Sequence, residues 1–253
     1  MGLVTGASSG IGAAVAGAFA REGMRVAITA RGTEQLQEVA DALGGDGAQV
    51  LAVPGDMGST EDVERVVGET IEKFGGIDVL VNNAGATVFA PLEDVGDERW
   101  LSDLNTKLLG YVRCTRVAAP HLEKRETACI VNVGGNGGRQ PLPYHLPGGA
   151  ANAAILNFTQ AMGQYLGPRG VRVVGVAPGL VETPRLDKQL PVQAAMWGVD
   201  TDEARKRMVR DIPVGRISTS EDIADVICFL ASPRARQIHG TTITVDGGAT
   251  RGI

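Results

Sequence analysis

Cysteine is scarce in this 253-residue sequence: Cys114, Cys129 and Cys228 are an odd number with no paired spacing. That excludes a disulfide scaffold and reads as buried thiols of a reducing compartment, so a cytoplasmic setting is expected and no metal site. Positive charge is not in excess either. The 24 Lys and Arg against 29 Asp and Glu give a formal net charge of −5 with no basic stripe, so nucleic acid is not an expected partner. No run approaches the ~18 uninterrupted apolar residues of a membrane span. The first residues lack a basic stretch followed by an apolar one, so neither a membrane association nor a secretory leader is expected. Internal repeats, low-complexity linkers and breaks in composition are missing too, which predicts one domain over residues 1–253. What is abundant is glycine, with 35 residues scattered without a triplet period, which predicts tight turns and close backbone approaches. At 43% hydrophobic and 21% charged, the composition is that of a globular protein.

Apolar runs and helical periodicities alternate from the first residue. Strands are predicted at Met1–Thr5, Arg25–Ala30, Gln49–Pro54, Asp78–Asn82, Ala128–Val133, Arg172–Ala177 and Thr242–Val245. Between them, Ile11, Val15 and Phe19 repeat at helical spacing, as do Leu36, Val39, Ala40 and Leu43. Val63, Val66, Val67, Ile71 and Phe74 follow behind capping chemistry at Ser59 and Asp62, and Ile223, Val226, Ile227 and Leu230 mark the last helix. Strands that are near-continuous apolar runs, alternating with amphipathic helices, predict an α/β fold: a parallel sheet covered on both faces. Two segments depart from the pattern. Gln140–Pro168 holds no Asp, Glu, Lys or Arg, and its helical part, Ala150–Leu166, is small or apolar on most faces. One side can meet the sheet, and the other is expected to meet another subunit. Arg185–Asp211, before the last helix, is long and carries clustered charges with Met196 and Trp197, as a lid over a site would.

The first strand runs into Thr5-Gly6-Ala7-Ser8-Ser9-Gly10-Ile11-Gly12 and then a helix. Such a turn delivers backbone N–H groups and the positive helix end to an anion. Gly6 permits the turn, Gly10 lets a pyrophosphate approach the backbone, and Gly12 lets helix and strand pack closely. By itself the Gly-x-x-x-Gly-x-Gly spacing is also compatible with a purely structural turn. Three further motifs follow: Asn82-Asn83-Ala84-Gly85, Ala177-Pro178-Gly179 with Thr183 beyond it, and Val245-Asp246-Gly247-Gly248. In order and spacing the four motifs, which span essentially the whole chain, resemble the short-chain dehydrogenase/reductase family. The resemblance implies a doubly wound, single-domain Rossmann sheet of about seven strands. It also implies a dinucleotide along Gly6, Ser8, Ser9, Gly10, Ile11 and Gly12. Asp56, with Met57 beside it, would meet the adenine, and Asn83, Ala84 and Gly85 the ribose. Pro178, Gly179, Val181 and Thr183 would hold the nicotinamide amide. A homo-oligomer, dimer or tetramer, is the family habit. The cofactor's identity has a physical reading. An acidic residue near the end of strand 2 accepts ribose hydroxyls and repels a 2′-phosphate. Here Ala30 stands there and Arg31 follows, which suits NADP(H) through charge-assisted bonds, with NAD(H) as the alternative.

The family's chemistry uses Asn, Ser, Tyr and Lys, and here the resemblance departs from its pattern. Asn105 matches the Asn. The Ser position falls on Gly135, and the Tyr-x-x-x-Lys pair falls on Gly148 and Asn152, in a register fixed by Ala153-Ala154-Ile155. The two glycines leave volume beside the nicotinamide. His145 and Tyr144, just upstream, are the candidate replacements for the acid, His145 the better one because its ordinary pKa needs little tuning. Asn136 and Asn152 are candidates to polarise a carbonyl in the manner of an oxyanion hole. Two readings of different class stand: an NADP(H)-dependent oxidoreductase acting on a small molecule with a non-standard proton donor, and a non-catalytic NADP(H)-binding scaffold or sensor. A non-redox enzyme on the same scaffold is a third.

Overall fold

The computed structural model describes residues 1–45, 47–85 and 87–251. Among them seven strands form one sheet: β1 (Gly2–Thr5), β2 (Val26–Thr29), β3 (Val50–Ala52), β4 (Val79–Asn82), β5 (Ala128–Val133), β6 (Val171–Pro178) and β7 (Thr242–Val245). Their order is β3-β2-β1-β4-β5-β6-β7, and every neighbouring pair is parallel. Parallel strands need crossovers, and the helices supply them on both faces. On one face α1 (Gly10–Arg21), α2 (Thr33–Gly45) and α9 (Ser220–Ala231) bury Val15, Phe19, Leu36, Ile223 and Ile227 against the sheet. On the other, α3 (Thr60–Phe74), α5 (Gly110–Leu122) and α6 (Leu146–Leu166) bury Val63, Val66, Phe74, Leu122 and Leu166. Fully buried strands explain the uninterrupted apolar runs, such as Ala128–Val133, which matches its predicted bounds.

Capping chemistry sets the helix ends. Ser59 Oγ accepts from the Asp62 amide at 3.2 Å, and Gly75, at φ 79°, closes α3 in the left-handed conformation. A buried polar string crosses the sheet's carboxyl edge: Asn82 Nδ2 donates to Asn132 Oδ1 (2.9 Å), and Asn132 Nδ2 to Thr159 Oγ1 (3.0 Å). It locks β4, β5 and α6 in register at the end where the site lies.

Two segments differ from the sequence-based expectation, and a third, left without assigned elements there, is resolved into helices. The third strand is only Val50–Ala52. The charge-free helix α6 starts at Leu146 and not near Ala150, because Pro147 fits a first helical turn, where its missing N–H costs nothing. Arg185–Asp211 is two helices, α7 (Pro184–Trp197) and α8 (Thr201–Arg210), the second capped by Asp200 on the Glu203 amide at 2.7 Å. They share a small apolar cluster of their own, with Leu186, Met208, Ile212 and Ile217 buried together. One more irregularity bears on the site. α4 (Asp97–Leu104) and α5 are one continuous helix with a wide, π-type turn at Asn105–Leu109 between them. Among the described residues no helix is long and apolar enough to cross a membrane.

Candidate active site

The strand order reverses direction between β1 and β4, and in open α/β sheets ligands bind in the crevice beyond the strand ends at that point. The loop after β1 is glycine-rich, and the loop after β4 contributes Gly85. Gly6 and Gly10 have φ of 66° and 54°, which side-chain-bearing residues rarely adopt. A Cβ on Gly12 would overlap the Gly6 carbonyl, so α1 sits directly against the turn. From the β4 side, Asn83 clamps the turn: its Nδ2 donates to the carbonyls of Thr5 (3.0 Å) and Gly6 (3.1 Å), while Thr5 Oγ1 accepts the Asn83 and Ala84 amides. Ser9, at the helix start, uses no side-chain cap, so the first amides of α1 stay directed at the crevice. These open amides, at a turn whose glycines leave the backbone bare, fit a dinucleotide's pyrophosphate.

A cavity of about 1010 Å³ runs from this turn to the loops after β5 and β6. Of the residues predicted to hold the dinucleotide, all but Gly12 line it: Gly6, Ser8, Ser9, Gly10, Ile11, Arg31, Asp56, Met57, Asn83, Ala84, Gly85, Pro178, Gly179, Val181 and Thr183. Gly12 lies beneath the turn, where close packing requires it. Asp56 turns its carboxylate onto the Gly58 amide (2.8 Å), which shapes the loop after β3. Thr183 closes the other side, since a Cβ on Gly10 would come within 3.0 Å of Thr183 Cγ2.

At the far end, side chains occupy what the sequence alone suggested was emptied volume. Gly148 is buried against His145 and Thr87: a Cβ there would overlap His145 Nε2 and Thr87 Oγ1. Asn152 fills the space at Gly135, its Oδ1 accepting the Gly135 amide at 3.0 Å and its Nδ2 lying 3.0 Å from where a Gly135 Cβ would be. His145 stacks on Phe89 with ring centroids 4.3 Å apart. Thr87 Oγ1 is 2.6 Å from His145 Nε2, and Arg185 Nη2 lies 2.9 Å from Thr87 Oγ1 and 2.8 Å from Nε2. A guanidinium only donates, so Nε2 is the acceptor, the Thr87 hydroxyl points at it, and the imidazole proton is on Nδ1. Burial, then the charges of Arg185 and Lys107, push the His145 pKa down to about 3.

The sequence-predicted catalytic residues therefore separate. His145, Asn136 and Asn152 line the cavity. The expectation that His145 is a charged acid near neutral pH does not hold, because two cations and burial keep it neutral. Tyr144 is not among the lining residues. It is half-buried in the loop before α6, where its carbonyl accepts the Ala90 amide at 2.9 Å. Asn105 is likewise outside: its Nδ2 donates to the Gly58 carbonyl (3.1 Å) and its Oδ1 accepts from Arg113 (2.7 Å). From the same wide turn it is Lys107, two positions on, that reaches the cavity, beside Thr106. Lys107 is 5% exposed, and its stem runs along Gly85, where a Cβ would come within 2.8 Å of Lys107 Cγ. Burial and then Arg185 lower its pKa to about 7, with Asp103 opposing. Lys107, Arg185, Thr87 and Phe89 were not singled out from the sequence. A lysine inside an otherwise ordinary helix and an arginine behind Thr183-Pro184 carry no local signal. A helix-period count carried through Asn105–Leu109 conceals which residue faces the site.

A family model described as enoyl-(acyl carrier protein) reductase matches residues 6–250. The 3-oxoacyl-(acyl-carrier-protein) reductase FabG of Staphylococcus aureus is 32% identical over 247 residues, covering 97% of this chain and 96% of that protein. Among solved structures, an actinorhodin polyketide ketoreductase variant with NADPH superimposes with a TM-score of 0.94 at 34% identity, over 98% of this chain and 96% of the other. An NADPH-bound short-chain oxidoreductase from Pseudomonas aeruginosa PAO1, described as containing an atypical catalytic center, has a TM-score of 0.91 at 32% identity, over 100% and 97%. With three of the four motifs around one crevice and relatives matched end to end, the chain belongs to the short-chain dehydrogenase/reductase family.

Proposed function

We propose that the chain is an NADP(H)-dependent carbonyl reductase whose proton donor is not the family's tyrosine. The observation that carries this is the cavity joining the clamped glycine turn and Arg31 to a polar end that includes Lys107, His145 and Arg185. The cofactor is NADP(H). Ser8, Ser9 and Ile11 would hold its pyrophosphate and Arg31 its 2′-phosphate, in keeping with the NADPH-bound relatives. When bound, it supplies hydride to the carbonyl carbon. In the register of the resemblance, the family's Ser, Tyr and Lys fall on Gly135, Gly148 and Asn152. At the first two, a hydrogen leaves room for Asn152 and His145 respectively, and Asn152 spends its oxygen on the Gly135 amide. The chain's own groups position the substrate: the Asn136 and Asn152 amides and Arg185 are donors on the cavity wall. The α7–α8 unit, which contributes Arg185, Leu186, Gln189, Trp197 and Met208 to the lining, serves as the lid that excludes water. The substrate is a small ketone or aldehyde. We also assign the exposed, uncharged face of α6, with Ala150, Ala153, Asn157 and Ala161, to a contact between copies of this chain in a cytoplasmic homo-oligomer.

The test is NADPH oxidation over a panel of 3-oxoacyl thioesters, cyclic ketones, sugars and aldehydes, with NADPH affinity measured separately by fluorescence. Turnover by the wild type supports the reading. Tight NADPH binding with no turnover on any carbonyl overturns it in favour of a scaffold or sensor.

A further inference from the structure

Resting on the reductase reading, we infer that Lys107 is the group that gives its proton to the carbonyl oxygen of the substrate. Among the described residues, the titratable groups that line the cavity are Arg31, Asp56, Lys107, His145, Arg185, Asp211 and Arg251. The three arginines keep their protons at any ordinary pH. Asp56 is turned onto the Gly58 amide beside the cofactor turn, and Asp211 sits at the end of α8. His145 is neutral, and its Nε2 is taken by Thr87 and Arg185. Tyr111, buried behind this wall, donates its hydroxyl to the Val133 carbonyl at 2.9 Å and does not line the cavity. Lys107 remains.

Its placement is that of a built site. The wide turn at Asn105–Leu109 interrupts the α4–α5 helix where Lys107 lies, and such turns occur often at functional positions. The stem is packed along Gly85, and the residue is buried while still lining the cavity. The groups facing it are of known charge: Arg185 from α7, His145 ahead of α6 and Asp103 from α4. Asp103 does not neutralise it, because its carboxylate is held by Arg99 (2.8 Å) and the Val88 amide (2.9 Å). Arg185 donates to neutral acceptors only: the carbonyl of Gly85, the hydroxyl of Thr87 and the imidazole of His145. A second cation beside a buried ammonium makes it a readier acid than an ordinary lysine. In the reaction one N–H bond of Lys107 Nζ breaks and one O–H bond forms on the oxygen that becomes the product hydroxyl. The hydride comes from NADPH. Lys107 is left as a neutral amine that takes a proton back from water.

The experiment compares wild type, Lys107→Met and Lys107→Arg, with two readouts. In the protein without nucleotide, ¹⁵N NMR of the five lysine side chains follows each Nζ against pH. One of the five, missing from Lys107→Met, is expected to titrate near neutral pH. Titration of all five in the ordinary lysine range overturns the inference. In the second readout, both variants bind NADPH within about threefold of wild type and lose roughly 10²–10⁴ in kcat, the span of a positioned acid. The arginine variant decides between proton donation and mere positive charge. A guanidinium keeps the charge and withholds the proton, so Lys107→Arg activity within about tenfold of wild type overturns the assignment. A wild type that binds NADPH but reduces no carbonyl ends the reductase reading and this inference with it. An active wild type alongside an equally active Lys107→Arg ends the inference alone.

Discussion

A buried cation without a carboxylate partner costs stability, so removing it has a measurable sign. Lys107 is 5% exposed, and its pKa falls from the usual 10.5 to about 7 through burial and then Arg185. At ~1.36 kcal/mol per tenfold change in proton affinity, that drop sets a ceiling of about 5 kcal/mol on the penalty of keeping the ammonium folded. The direction with pH follows by linkage. Below about pH 7 the ammonium is charged in both folded and unfolded chains, and the whole penalty is present. As pH rises from there toward the unfolded value, the folded chain carries the neutral amine while the unfolded chain still binds a proton, so the penalty shrinks. Lys107→Met keeps the unbranched stem along Gly85 and removes the charge. The variant is therefore expected to be more stable than wild type by a constant margin of several kcal/mol below neutral pH, narrowing to roughly 2 kcal/mol near pH 9. For a chain of this length each kcal/mol shifts Tm by about 2–4 °C, so thermal unfolding across pH, without nucleotide, resolves the trend. A Tm difference that stays flat with pH, or a Lys107→Met less stable than wild type at acid pH, would contradict a penalised ammonium.

Three further outcomes are expected. Gly148→Ala places a Cβ onto His145 Nε2 and Thr87 Oγ1, so it should destabilise by about 1–3 kcal/mol in denaturant unfolding, with part of the loss recovered when His145→Ala is added. No recovery in the double variant would show that the two positions are not coupled. Arg31→Ala should weaken NADPH binding at least about tenfold while leaving NADH affinity within about threefold, since only the 2′-phosphate loses a charge-assisted partner. Equal losses for both nucleotides by fluorescence titration would assign Arg31 another role. Ala153→Arg puts a charge on the exposed uncharged face of α6, and light scattering after gel filtration should show a smaller assembly than wild type, whereas an unchanged mass would remove α6 from the subunit contact.

The glycine-turn end of the cavity was legible because its signals are local. A left-handed glycine at Gly6, another at Gly10 and a glycine pressed on a carbonyl at Gly12 are demands of a turn a few residues long, and they are met within the sequence that makes it. The sheet was legible for a related reason: strands buried on both faces need no partner to be recognised as apolar runs. The substrate side depends on helix phase and distant packing. Asn105 drew the catalytic role through its place in the family pattern, but the wide turn that begins there changes the phase of the helix. It leaves Asn105 on Gly58 and Arg113 and brings Lys107 to the cavity. No count of apolar spacing shows such a turn, because it is one inserted residue in an otherwise regular pattern. Arg185 joins the same wall from far along the chain, through a contact that only the folded α7 makes.

Gly148 is the clearest case of a residue whose meaning reverses on folding. In the sequence it falls, by the register of the resemblance, where the family's tyrosine would stand. In the structure it is the condition for His145 to lie where it does, because any side chain there would collide with the imidazole and with Thr87. His145 in turn gives Arg185 and the Thr87 hydroxyl an acceptor on the cavity wall, and burial beside two cations, Arg185 and Lys107, keeps it neutral. Replacing the glycine alone therefore disturbs His145 and Thr87 directly and Arg185 through both. Gly148→Tyr by itself is expected to give a disrupted wall and not a restored acid, read as a loss of stability with no gain in turnover. Combining Gly148→Tyr with His145→Ala removes the collision with the imidazole, and the double variant is expected to regain stability relative to Gly148→Tyr alone. A single variant as stable as wild type would show that the imidazole moves aside freely, and that the glycine is not what holds it in place.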